Sequence, residues 1–127
     1  MADRPSIMVV DDERDIRDLL VEWLGEEGYA VHTAANPAAA LALLDSNPQI
    51  ALLLTDVVMP GGLNGFDLAR RAQVARPALK VIYISAYSMA EAVAQARPND
   101  EPMLRKPFRL EQVLSEVRRT LGPTAQA

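Results

Sequence analysis

Short apolar runs and helical patterns alternate along the chain, and they do so five times. Ser6 to Val10 is a nearly continuous apolar run that ends in acids. Such a run suits a strand covered on both faces. From about Glu13 the apolar residues fall at Ile16, Leu19, Leu20, Trp23 and Leu24, the spacing of one helix face. Gly28 then offers a left-handed stop. Ala30 to Ala34 reads as a second strand. Asn36 followed by Pro37 predicts a helix start, because the Asn side chain can accept a free N–H and proline loses nothing at the first helical position. That helix runs to about Ser46.

Ile50 to Thr55 is a third strand, apolar on both faces. A Gly-rich loop follows, and Asn64 caps a third helix that stops before Pro77, since the residue preceding a proline is pushed out of the helical region. Lys80 to Ser85 reads as a fourth strand, and Ser88 begins a short helix ending near Arg97-Pro98. Met103 to Arg105 is a brief fifth strand. After Lys106-Pro107 a last helix carries Leu110, Val113, Leu114, Val117 and Leu121 on one side. Strict alternation implies parallel pairing, because each parallel connection needs a crossover, usually a helix. The predicted fold is α/β: a three-layer α/β/α sandwich of five parallel strands and five helices. Residues 1–127 read as one domain, with a core over about 5–121 and a frayed tail after Gly122.

Composition narrows the function. At 127 residues the chain fits one core, and half of its residues are hydrophobic. With no cysteine, a disulfide scaffold, a Cys-based zinc site and a Cys nucleophile are all excluded. No apolar run approaches the roughly 20 residues of a membrane span. The polar start lacks the profile of a signal peptide, so a cytoplasmic location is expected. Net charge is −4 and the isoelectric point about 4.9. Arg70-Arg71 and Arg118-Arg119 fit solvated helix faces, so direct nucleic-acid binding is not expected.

Chemistry concentrates where the strands end. In an open parallel sheet, ligands bind beyond the carboxyl ends of the strands. The first strand ends in Asp11-Asp12, the third in Asp56, the fourth in Ser85 and the fifth in Lys106-Pro107. Singly, each has an ordinary reading: a helix cap, a turn, a backbone contact, a surface lysine. Together they bring three carboxylates, a hydroxyl and an ammonium to one rim. Carboxylates gathered in one crevice repel one another and call for a cation. Oxygen ligands suit a hard ion, Mg²⁺ above all, which leaves room for a phosphoryl oxygen. A carboxylate can also be a nucleophile and form an aspartyl phosphate.

The chain resembles the receiver domains of two-component response regulators over essentially its whole length. The resemblance is carried by "IMVVDDE" at Ile7 to Glu13, "LLLTDVVMPGG" around Asp56, "VIYISA" in the fourth strand and "RKPF" at Arg105 to Phe108. It implies a flavodoxin-like strand order, 2-1-3-4-5. It implies Asp56 as phosphoacceptor, with Asp12 and Asp56 binding Mg²⁺ directly, Asp11 through water, and Val58 through its backbone carbonyl. Lys106 would contact the phosphoryl group and Ser85 would move toward it, with a cis bond at Lys106-Pro107. The implied partners are a sensor histidine kinase or a histidine phosphotransfer protein, and a downstream protein target. No enzyme activity is expected beyond Mg²⁺-dependent self-phosphorylation and self-dephosphorylation. With no effector module in sight, a stand-alone regulator is expected.

The chain departs from the family's pattern in three places. "MPGGLNG" is one residue longer than the commonest loop, which resembles receivers associated with hybrid histidine kinases. No Gly-Ala precedes the fifth strand, and Met103 stands where most receivers carry an aromatic switch residue. A Met side chain adapts continuously to its space, so phosphorylation is expected to move Ser85 and residues 86–90 more than Met103. Trp23 reads as packing and His32 as an ordinary strand residue. A flavodoxin-like electron carrier would need N–H donors and hydroxyls after the first strand, not two carboxylates. An aspartyl phosphohydrolase would place its nucleophile after the first strand. A third alternative is a receiver that binds partners without phosphate.

Overall fold

The computed structural model describes residues 5–59, 64–86 and 101–122. The strands are β1 (Ser6–Val10), β2 (Ala30–Ala34), β3 (Ile50–Asp56), β4 (Lys80–Ala86) and β5 (Met103–Lys106). The helices are α1 (Arg14–Glu26), α2 (Pro37–Ser46), α3 (Gly65–Ala75) and α4 (Leu110–Leu121), the last helix of the sequence reading. The short helix expected from Ser88 to Arg97 and the loop at 60–63 lie outside the described residues. All five strands pair in parallel, in the order β2-β1-β3-β4-β5.

The central strands are apolar throughout because each of their faces meets a different layer. Met8, Val10, Leu53, Val81 and Tyr83 point into one cluster, closed by α2 and α3. Ile7, Val9, Leu52, Leu54, Ile82 and Ile84 point into the other, closed by α1 and α4. Alternation with period two along β1, β3 and β4 thus feeds two cores rather than one core and solvent. Burying one such Leu or Ile side chain stabilises the fold by about 2 kcal/mol.

Local signals set the helix boundaries. The Asn36 side chain accepts the Ala39 N–H at 2.8 Å, and the Asn64 side chain accepts the Asp67 N–H at 2.9 Å. Gly28, at φ 95°, turns the chain from α1 toward β2. The last helix begins at Leu110, where the Gln112 side chain accepts the Arg109 N–H at 2.8 Å. Leu110 was expected on the apolar side of that helix, yet it is 38% exposed. The first residue of a helix lies at its end, beyond the sheet surface that Val113, Leu114 and Val117 cover. Arg118, read as part of a solvated face, pairs with Glu27.

Candidate acidic site at the sheet's carboxyl edge

The strand order reverses at β1 and β3, and in open parallel sheets ligands bind beyond the carboxyl ends of the strands at such a point. Asp11 follows β1 directly, and its N–H is held by the Ala34 carbonyl at 3.2 Å. Asp56 is the last residue of β3, paired in register with Ile84 of β4. The next N–H, from Val57, donates to the Ile84 carbonyl at 3.0 Å. Lys106 ends β5, in register with Ala86. Backbone pairing therefore brings residues far apart in sequence to one rim before any side chain is considered.

Asp11, Asp12 and Asp56 each offer a carboxylate oxygen, and these atoms all lie within 4.8 Å of one another. Asp11 and Asp56 are buried and Asp12 is exposed. The Lys106 ammonium lies 3.0 Å from Asp11 Oδ2, 2.7 Å from Glu13 Oε1 and 3.2 Å from Asp56 Oδ2. Asp11 Oδ1 accepts the Glu13 N–H at 2.8 Å, and Asp56 Oδ1 accepts the Val58 N–H at 3.4 Å. Asp11 Oδ2 is buried and has only the charge contact with Lys106, which is not aligned as a hydrogen bond. It keeps a lone pair for another ligand.

Electrostatics follow from this packing. Burial raises the pKa of Asp11, and the hydrogen bond from Glu13 and the Lys106 charge only partly oppose it. Burial raises Asp56 too, and the charge of Asp11 adds to the effect. For Lys106, burial alone pulls the pKa down, but the neighbouring carboxylates of Glu13, Asp11 and Asp56 outweigh it. The net shift is upward, so the ammonium stays charged. Three carboxylates and one ammonium leave the rim negative, and an oxygen-only donor set of this kind fits a hard divalent cation.

Ser85 is buried beside this rim, its hydroxyl donating to the Ala86 carbonyl at 3.2 Å. Val58 is 54% exposed, and the Lys106–Pro107 peptide bond is cis. Met103 is partly buried against the α2–α3 cluster and pairs in register with Tyr83. Trp23 packs on the other core, edge-on to Phe108 at 6.1 Å. His32 lies in β2 opposite Met8.

Sequence reasoning missed three contributors. Glu13 was read only as a helix start, yet it gives Lys106 its shortest contact. Arg17 donates to the Asp11 carbonyl at 2.8 Å. The Gly65 N–H donates to the Val57 carbonyl at 2.8 Å, so α3 begins against the end of β3. Glu13 had a signal, as the third acid of "DDE"; Arg17 stood four residues on, one turn along the same helix.

Comparison with known proteins agrees with this geometry. The family model for the response regulator receiver domain matches residues 7–118. The response regulator receiver protein CpdR of Brucella abortus is 36% identical over 116 residues, covering 91% of this chain and 95% of that protein. The DNA-binding transcriptional regulator NtrC of Azospirillum brasilense is 39% identical over 92% of this chain, which spans only 24% of that protein. The crystal structure of the response regulator TrrA from Thermotoga maritima, in complex with Mg²⁺ and BeF, superposes with a TM-score of 0.76. It is 32% identical, over 91% of this chain and 97% of that one. Among the described residues, no helix is long and apolar enough to cross a membrane. With the motifs, the strand order and the acidic rim in agreement, the chain belongs to the response regulator receiver domain family of two-component signalling.

Proposed function

We propose that Asp56 accepts a phosphoryl group from a histidine kinase or a histidine phosphotransfer protein, and that the phosphorylated chain signals by contact with a downstream protein. The observation that carries this reading is the buried Asp56 carboxylate beside Asp11, with the Lys106 ammonium 3.2 Å away. Receiver domains exchange phosphoryl groups with such donors as a family, and the chain shares their fold and motifs.

Mg²⁺ fits the donor set: three carboxylates, no cysteine in the chain, and a buried Asp11 oxygen that accepts no hydrogen bond. In this reading Asp12 and Asp56 ligate the ion directly, Asp11 through water, and Val58 through its backbone carbonyl. When bound, the ion supplies charge compensation for the carboxylates and for the phosphoryl oxygens. TrrA, one of the similar structures, was crystallised with Mg²⁺ and BeF.

The chain's own residues do the rest. An Asp56 oxygen attacks the donor's phosphorus; the O–P bond forms as the donor's N–P bond breaks, and the leaving imidazole nitrogen takes a proton from water. Lys106 offers N–H donors to the phosphoryl oxygens, whose charge it offsets. The Ser85 hydroxyl exchanges its Ala86 carbonyl for a phosphoryl oxygen, which shifts the end of β4. Loss of the phosphoryl group is attack of water on phosphorus, with Asp56 leaving as carboxylate.

A titration with beryllofluoride, followed by backbone and methyl NMR, tests this reading. Shifts are expected at Asp56, Ser85 and Lys106 only when Mg²⁺ is present, reversed by EDTA, with little change at the Met103 methyl. Absence of binding with Mg²⁺ present would overturn the reading.

A further inference from the structure

Lys106 has three carboxylate partners, and the closest is not one of the three aspartates. Glu13 contacts it at 2.7 Å, against 3.0 Å for Asp11 and 3.2 Å for Asp56. The Glu13 side chain is 58% exposed, while those of Asp11 and Asp56 are 0% and 8% exposed. The ammonium is thus held on its inner side by fixed carboxylates and on its outer side by a side chain that can follow it. The main chain of Glu13 is anchored, with its N–H on Asp11 Oδ1 and its carbonyl accepting the Arg17 N–H at 3.2 Å.

We propose that Glu13 is a positioning residue that draws Lys106 outward when a divalent cation enters the acidic rim, and then competes with the phosphoryl oxygens for that ammonium. The inference rests on the function proposed above. An ammonium has three N–H donors, and three carboxylates surround this one. A cation beside Asp11, Asp12 and Asp56 repels Lys106, and Glu13 offers it a carboxylate outside that cluster. A phosphoryl group on Asp56 must afterwards win the ammonium back from Glu13.

The two roles have opposite signs, which makes them separable. In Glu13→Gln, Mg²⁺ should bind about two- to fivefold more weakly, the range of a half-exposed ion pair. At saturating Mg²⁺, beryllofluoride should bind tighter by a similar factor, about two- to fivefold. Simple loss of a nearby negative charge gives the same signs, so Glu13→Asp decides. It keeps the charge but is one methylene shorter, which sets the carboxylate farther from Lys106 than the 2.7 Å of Glu13. Calorimetric titration of the full chain with Mg²⁺, then with beryllofluoride, reads both affinities. The expected result is opposite shifts of the two affinities in both variants. Shifts in Glu13→Gln alone, shifts of the same sign, or none would overturn the role of Glu13. Failure of the unmutated chain to bind either ion would overturn the functional reading, and this inference with it.

Discussion

Asp11 and Asp56 sit where burial works against their charge, and one backbone N–H each together with the Lys106 ammonium offsets it only in part. Both pKa values are raised above the ordinary 3.8, with desolvation the largest cause in each case. A raised value means that the folded chain binds the proton more tightly than the unfolded chain does. The stability contributed by these groups is fully present below the unfolded pKa and is lost as pH rises through the folded one. At neutral pH the metal-free rim therefore carries a penalty that a bound cation relieves. Asp11→Asn should stabilise the metal-free protein at pH 7, because it removes the buried charge that desolvation disfavours. Urea unfolding in EDTA checks this; the gain should shrink toward pH 4, and added Mg²⁺ should stabilise the unmutated chain more than the variant. Destabilisation by Asp11→Asn at pH 7 would show that the Lys106 contact outweighs burial.

At the scale of elements, α3 begins close against the end of β3, behind the Asp56 that strand pairing sets at the rim. A Cβ on Gly65 would lie 2.2 Å from the Asp56 carbonyl oxygen and 2.9 Å from the Val57 Cα, both backbone atoms. Helix propensity alone favours alanine at a helical position. The contact reverses that preference: Gly65→Ala should cost about 1–3 kcal/mol, as overpacking does. It should also slow phosphorylation by displacing Asp56. Chemical denaturation and the initial rate with acetyl phosphate measure both; a neutral or stabilising effect would show that α3 can retreat freely. The elements themselves were legible from local chemistry. Asn36-Pro37 and Asn64 are caps that act within three residues, so their sequence neighbours suffice to identify them. The close fit of Gly65 was not legible, because it depends on where a separate strand ends.

On the whole molecule, β1, β3 and β4 are covered on both faces, and the continuous apolar runs of the first and third strands already called for two covering layers. The order β2-β1-β3-β4-β5 came from resemblance rather than periodicity, since alternation predicts parallel pairing but not which strands are neighbours. The aspartates and Lys106 were legible because parallel strands deliver their ends to one edge. The Glu13–Lys106 pair, 93 residues apart, was not, because side-chain reach decides it and strand order does not. The proposed function turns on Asp56 at this edge being the phosphoacceptor. Intact-mass measurement after incubation with acetyl phosphate and Mg²⁺ tests it most directly, on the unmutated chain, Asp56→Asn and Asp11→Asn. The expected result is one phosphoryl group on the unmutated chain, none on Asp56→Asn, and none on any chain in EDTA. Labelling that persists in Asp56→Asn and disappears in Asp11→Asn would contradict the assignment.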